Sequence, residues 1–173
     1  MLIIFYGKGK GKTSAALGVA LRAAGWGKKV AIFQFVKGSW ATGERLSIPK
    51  YLKPHVTIEA LGKGFVGILD DKLAKQEHVT AAQAGLKKVA AAIKANKHNI
   101  IVLDEIIGAI HDQLITLDQV VTLLRKTPKK TDVILTGHYE IPKLIAMADM
   151  VSEVRKVKHP YDKGILAKQG IDF

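Results

Sequence analysis

One stretch near the start constrains this chain more than any other. Leu2, Ile3, Ile4, Phe5 and Tyr6 run directly into Gly7-Lys8-Gly9-Lys10-Gly11-Lys12-Thr13, and these into Ser14, Ala15, Ala16, Leu17 and Gly18. A continuous apolar run of five fits a strand buried on both faces, and the alanine-rich stretch after the loop fits a helix. A strand, a glycine loop and a helix in immediate succession aim several backbone N–H groups and the positive end of a helix dipole at one point, which suits a phosphate. Glycines at 7, 9 and 11 are expected to let the loop curl through positive φ. Lys12 is placed to reach between terminal phosphates, and the Thr13 hydroxyl to ligate Mg²⁺. The common phosphate loop has a glycine five residues before Gly11, but Tyr6 stands there. The spacing is therefore G-x-x-x-G-K-T, one residue short.

The rest of the chain repeats the alternation of strand and helix. Apolar β-rich runs fall at Val30–Val36, Val56–Ala60, Ile100–Leu103 and Val133–Leu135, with a sixth at Met150–Val154. Helical patterns lie at Thr13–Ala24, Asp70–Ala95 with a break expected near Gly85, Leu117–Lys126 and Pro142–Ala148. Such alternation predicts an α/β fold, a mostly parallel central sheet of about six strands with helices on both faces. With 173 residues, the chain is one domain, 1–173. Residues 37–69 carry too many glycines and prolines for long elements and are expected to form substrate loops.

Composition narrows the chemistry. Hydrophobic residues at 48% exclude a disordered chain, and the absence of cysteine excludes disulfides, thiolate metal sites and a cysteine nucleophile. No apolar run approaches the ~18 residues of a membrane span and no signal-peptide order is present, so the expectation is a soluble, cytoplasmic protein. The net charge of +12 implies anionic partners, for which nucleic acid, a membrane surface and a polyphosphate ligand all fit.

A second acidic signal completes the first. The strand Ile100–Leu103 ends in Asp104 and Glu105, and in a parallel sheet the carboxyl ends of strands share one edge, so both acids are expected to face the glycine loop. Loop and acids together argue for ATP or another nucleoside triphosphate with Mg²⁺ bridging its phosphates. Gln34, Lys37 and Glu44 follow the second strand on that edge, and Thr136-Gly137-His138 end the fifth. A histidine in that place serves equally as a cap or as a donor to phosphate. The run from Glu153 to Gly164 holds Arg155, Lys156, Lys158, His159 and Lys163, and reads as a nucleic-acid patch, a nucleotide-facing wall or a solvated edge strand. Phe65, between Gly64 and Gly67, either anchors its loop in the core or touches a large apolar ligand.

The motifs, taken in order, resemble those of the P-loop ATP:corrinoid adenosyltransferases. The matching residues are Gly7 to Thr13 with Ala15 to Gly18 and Arg22-Ala23, Gln34 to Gly38, Gly43-Glu44, Gly64-Phe65 and Val102 to Glu105. The match continues through Thr136-Gly137, Ala148-Asp149, Val151 to Glu153, Val157 to Ile165 and Gly170-Ile171. The shortened loop and the Lys158-His159-Pro160-Tyr161-Asp162 tail are the most specific of these. The resemblance implies a three-layer P-loop NTPase (RecA-like) fold and a transferase in adenosylcobalamin biosynthesis or salvage. In that reaction the Co(I) of a reduced corrinoid (cobalamin, cobinamide or cobyrinic acid diamide) attacks the 5′ carbon of ATP and triphosphate leaves. It implies Mg²⁺, or Mn²⁺, held by Thr13, Asp104 and Glu105, and a triphosphate cradled by Gly7, Lys8, Gly9, Lys10, Gly11, Lys12, Thr13 and Ser14. Lys12 acts on the leaving group, Arg22 on a phosphate, and Lys37, Glu44 and His159 fall within the same binding site. Phe65 presses on the lower face of the corrinoid, which eases reduction of Co(II) to Co(I).

The resemblance also implies a homodimer, ATP held in reverse sense along the loop, and an electron-donating flavoprotein reductase as partner. Three departures bear on the corrinoid. Gly67 stands where the family usually has tryptophan, His138 where it usually has arginine, and the chain starts directly on its first strand where many members carry a covering segment. The last implies a more open corrinoid site, or one that orders on binding. Other readings of the loop are an ATPase acting on nucleic acid, which aromatics at only 6% disfavour, and a small-molecule kinase. Membrane and nucleic-acid partners are not expected.

Overall fold

The computed structural model describes residues 1–38, 40–64 and 73–173. Six strands form one sheet: β1 (Leu2–Tyr6), β2 (Val30–Gln34), β3 (Val56–Ala60), β4 (Ile100–Asp104), β5 (Asp132–Gly137) and β6 (Met150–Glu153). Their order is β3-β2-β4-β5-β1-β6, and every neighbouring pair is parallel. The registers pair Gln34 with both Ala60 and Asp104, and Tyr6 with both Gly137 and Glu153. All six carboxyl ends therefore lie along one edge, and the motifs singled out above follow those ends.

Side chains alternate across the sheet, and each face finds helical cover. Ile3, Phe5, Val30, Ile32, Val102 and Ile134 pack with Ala16, Ala20 and Ala23 of α1 (Lys12–Gly25). The spacing of those alanines puts a methyl-only stripe on one face of α1, so the helix lies close to the strands. Leu2, Ile4, Phe33, Ile101, Leu103, Val133 and Leu135 face the other way, onto α3 (Lys75–Ala95), α4 (Ile106–His111), α5 (Leu117–Arg125) and α6 (Pro142–Met147). In α5 the N-terminus is closed by a capping box, with Thr116 Oγ1 accepting from the Gln119 N–H and Gln119 Oε1 accepting from the Thr116 N–H. The result is the expected three-layer α/β sandwich.

Most element bounds shift by a residue or two from the sequence expectation, and three differences are informative. The second strand stops at Gln34 instead of Val36, although Phe35 and Val36 stay buried. The long helix begins at Lys75, its expected first residues Asp70–Lys72 lying outside the described ones, and it runs through Gly85 without a break. A Cβ at Gly85 would sit 2.9 Å from Leu61 Cδ1, so this glycine makes room for Leu61 and does not interrupt the helix. Third, α4 was not expected, and neither was the five-residue α2 (Gly43–Ser47), which continues into a π-helical turn at Ile48–Leu52. These segments are too short to display a helical period, and Ile106, Ile107 and Ala109 are all buried, which hides any amphipathic pattern.

Candidate active site

Gly7 and Gly11 adopt φ of +119° and +120°, as the loop's curl requires, whereas Gly9 does not have a positive φ. Gly9 is needed for a different reason: a Cβ there would lie 2.6 Å from the Arg155 carbonyl oxygen and 2.7 Å from that of Val154. The loop is fastened to the end of β5 and to the extension of β6 by backbone hydrogen bonds. The Gly9 N–H donates to Val154 O at 2.7 Å, the Val154 N–H to Tyr6 O at 2.7 Å, and the Gly7 N–H to Gly137 O at 3.1 Å. The second half of the loop then opens α1, whose N-terminal dipole end faces a cavity of about 460 Å³.

That cavity gathers most of the residues expected from sequence. Lys10, Gly11, Lys12, Thr13 and Ser14 line it together with Lys37, Glu44, Glu105 and His138. Asp104 sits behind it, buried, and acts as the hub of a hydrogen-bond network. Its Oδ1 accepts from Thr13 Oγ1 and Thr136 Oγ1, each at 2.8 Å, and its Oδ2 accepts from Gln34 Nε2 at 3.2 Å. Gln34 Nε2 also reaches Glu44 Oε1 at 3.1 Å, and Lys37 Nζ donates to the same oxygen at 2.7 Å. Ends of β2, β4 and β5 and the start of α1 are thereby joined through side chains.

Glu105 behaves differently from Asp104. Its φ of +58° is left-handed, an uncommon conformation for a residue with a Cβ, and it turns the chain from β4 into α4. The Glu105 N–H donates to Thr136 Oγ1 at 2.8 Å. Burial pushes its carboxyl up to about 7, with Asp104 adding to the shift against Lys12 and Lys37. Among the described residues no side chain donates a hydrogen bond to that carboxylate, and the nearest cationic candidate, His138 Nε2, is 4.0 Å away. Burial lowers the His138 pKa, and Lys12 lowers it further. Lys12 is 5% exposed, its Nζ donates to Gly9 O at 2.8 Å, and burial lowers its pKa against the pull of Glu105 and Asp104.

Other expected residues fall elsewhere. Gly7 and Lys8 line a separate cavity of about 380 Å³ with Tyr6, Tyr139, Glu153, Arg155 and Lys156, and among the described residues only His138 borders both cavities. Arg22 lies exposed on α1, about 15 Å along the helix from Lys12 at about 1.5 Å per residue, and does not line the main cavity. His159 caps the turn at Pro160–Lys163, accepting from the Tyr161 N–H at 3.2 Å. Phe65 and Gly67 lie outside the described residues. The sequence reading missed Leu17, Ser47 and the segment Gly170–Phe173, all of which border the main cavity. Gly170-Ile171 stood among the matched motifs, but nothing local marked Asp172 or Phe173 as facing a loop some 160 residues earlier.

A parallel sheet whose first strand feeds a glycine loop and helix, with a loop threonine bonded to the acid ending the strand one place beyond its neighbour, defines a P-loop nucleotide-binding protein. The chain belongs to the ATP:corrinoid adenosyltransferase family BtuR/CobO/CobP, whose model matches residues 1–173. It is 36% identical over 174 residues to the corrinoid adenosyltransferase of Escherichia coli (strain K12), covering 100% of this chain and 85% of the relative. It is 37% identical over 175 residues to the corrinoid adenosyltransferase CobA of Salmonella typhimurium (strain LT2), with the same coverage. Among solved structures, EssC (ATPases 2 and 3) from Geobacillus thermodenitrificans aligns with a TM-score of 0.49 at 13% identity, over 99% of this chain and 35% of that one. The relatives do not favour a nucleic-acid ATPase or a kinase. Among the described residues no helix is long and apolar enough to cross a membrane.

Proposed function

We propose that this protein transfers the 5′-deoxyadenosyl group of ATP to the Co(I) centre of a reduced corrinoid. The observation that carries the reading is the family match over residues 1–173, in a chain whose glycine loop and acidic strand end meet at one cavity. Cobalt is here the substrate's metal. Its electron pair forms the Co–C bond at the 5′ carbon while the C–O bond breaks, and inorganic triphosphate leaves with that bond's electrons. Charge grows on the leaving group, so the chain's task is to hold and neutralise it. Lys10 and Lys12 lie on the cavity wall for that purpose, and the N-terminus of α1 adds its dipole. No water has to be activated.

The donor set at the loop fits a hard divalent cation: a threonine hydroxyl, an unpaired carboxylate in Glu105, and Asp104 orienting the threonine. Thr13 and Glu105 would hold Mg²⁺ with phosphate oxygens, and the ion would supply further charge neutralisation on the triphosphate. Gly7, Lys8 and Gly9 shape the loop, while Arg22 and His159 act outside the main cavity. Phe65 covers the lower face of the corrinoid, a flavoprotein reductase supplies the electrons, and the working unit is a cytoplasmic homodimer.

The test is to incubate the protein with ATP, Mg²⁺ and chemically reduced cobalamin. Formation of the Co–C bond is followed by visible absorbance and light sensitivity, while phosphate species are assayed in parallel. Alkylcobalamin and triphosphate should appear in equal amounts. Release of phosphate or ADP without alkylcobalamin overturns the reading.

A further inference from the structure

The lining of the main cavity is mostly polar residues and glycines, with three large apolar side chains among them. One is Leu17, and the other two are Ile171 and Phe173, at the far end of the sequence. These two are large apolar residues left 62% and 43% exposed beside a cationic cavity. They are not there by drift. The turn carrying them is closed by backbone hydrogen bonds from the Ile171 and Asp172 N–H groups to Lys168 O at 3.1 and 2.7 Å, and from the Gly170 N–H to Phe173 O at 2.8 Å. Asp172 then ties the turn to the glycine loop. Its Oδ2 accepts from the Lys168 N–H at 2.8 Å, and its Oδ1 pairs with Lys10 Nζ at 2.6 Å. Both contacts hold the Asp172 carboxyl below the usual range, Lys10 being the larger cause.

We propose that the turn formed by residues 168–173 is the nucleoside-facing wall of the ATP site, with Phe173 and Ile171 packing on the adenosine and Asp172 the positioning residue that latches the wall to Lys10. This rests on the reading of the cavity as a nucleotide site. A triphosphate alone needs cations and N–H donors, which the loop supplies. A nucleoside also needs apolar and aromatic surface, and ligand sites that bind such groups combine both kinds of wall. The latch uses Lys10, so the wall stands at a fixed distance from the loop that takes the phosphates.

The experiment compares two ligands that share the phosphates and differ in the nucleoside. Binding of ATP and of inorganic triphosphate is measured by calorimetry for the full chain and for Phe173→Ala, Asp172→Asn and Asp172→Glu, each checked for an unchanged thermal unfolding profile. The readout is the ratio of the two affinities, which cancels any general effect of charge on anion binding. Loss of an aromatic contact to a base should lower the ATP-to-triphosphate ratio about tenfold in Phe173→Ala. Asp172→Asn should lower the same ratio, and Asp172→Glu should keep most of it. A ratio unchanged in both Phe173→Ala and Asp172→Asn overturns the proposal, as does a ratio that rises in Asp172→Asn, because the turn would then compete with the nucleotide. No corrinoid is present, so a chain that binds ATP with the expected ratios but forms no alkylcobalamin loses the transfer reaction and keeps the wall. A chain that does not bind ATP loses both.

Discussion

Replacing Glu44 with glutamine should make the stability of this protein lose a pH dependence that the wild type has. The Glu44 side chain is only 12% exposed, and its partner Lys37 19%. Burial by itself would raise the carboxyl, but the hydrogen bond from Lys37, the residue's own N–H and the Gln34 amide outweigh it and hold it at about 2, against an ordinary 4.5. At about 1.36 kcal/mol per pH unit, that interval corresponds to an upper limit of about 3 kcal/mol at pH 7. The folded-state pKa is the depressed one. The contribution is therefore fully present above the unfolded pKa of about 4.5 and is lost as pH falls through about 2.

Urea unfolding of the wild type and Glu44→Gln at pH 7, 5, 4 and 3 reads this directly. The variant also leaves Lys37 without its carboxylate, which adds a cost that does not depend on pH in this range. On top of that offset, the gap between the two proteins should be largest at pH 7 and 5 and smaller by about 2 kcal/mol at pH 3. A gap of constant size from pH 7 to 3 would refute the assignment of Glu44 as a strongly paired, ionised group. It would also remove the reason to think Lys37 is held in place at the cavity wall.

Three further outcomes are expected. Lys12→Ala should lower kcat/KM for alkylcobalamin formation by about 100-fold or more, because a preorganised charge on the leaving group is lost, while thermal unfolding shows an intact fold. Gly9→Ala should cost about 1–3 kcal/mol, seen by calorimetry as a melting temperature lower by about 5 °C, because its Cβ would meet two backbone carbonyls that cannot rotate away; a melting temperature equal to wild type would show that the loop is not seated on Val154 and Arg155. Phe65→Ala should slow adenosylation from Co(II) much more than from prereduced Co(I), and equal losses in the two assays would discredit the role proposed for it against the corrinoid.

What could be read from the sequence was whatever is written locally. Leu2–Tyr6 and Ile100–Leu103 are apolar runs because strands buried on both faces must be, and parallel pairing then forces Thr13 and Asp104 to one edge. The structure adds to that shared edge a direct hydrogen bond, Thr13 Oγ1 to Asp104 Oδ1 at 2.8 Å. What could not be read depends on contacts between distant segments. Gly85 looks like a breaker until Leu61 is seen packed against it, and Gly9 looks like a flexible turn residue until Arg155 is seen beneath it. Asp172 is one acid among fifteen in the sequence. Only the fold reveals that it pairs with a loop lysine.

The two adjacent acids at the end of β4 illustrate how one strand end can serve two purposes. Asp104 is 1% exposed and already accepts three hydrogen bonds, so its charge is shared among Thr13, Thr136 and Gln34 and its position is fixed by three strands and a helix. Such a carboxylate has little capacity left for a ligand, but it sets the direction of the Thr13 hydroxyl. Glu105, one residue later, is rotated out of the strand by its left-handed backbone, at a cost on the order of 1 kcal/mol, and faces the cavity with its carboxylate unpaired. The strain persists because the residue's own N–H is anchored on Thr136, the same side chain that steadies Asp104. One threonine thus couples the fixed acid to the cavity-facing one, and the cavity-facing acid is held in place before any cation or phosphate arrives.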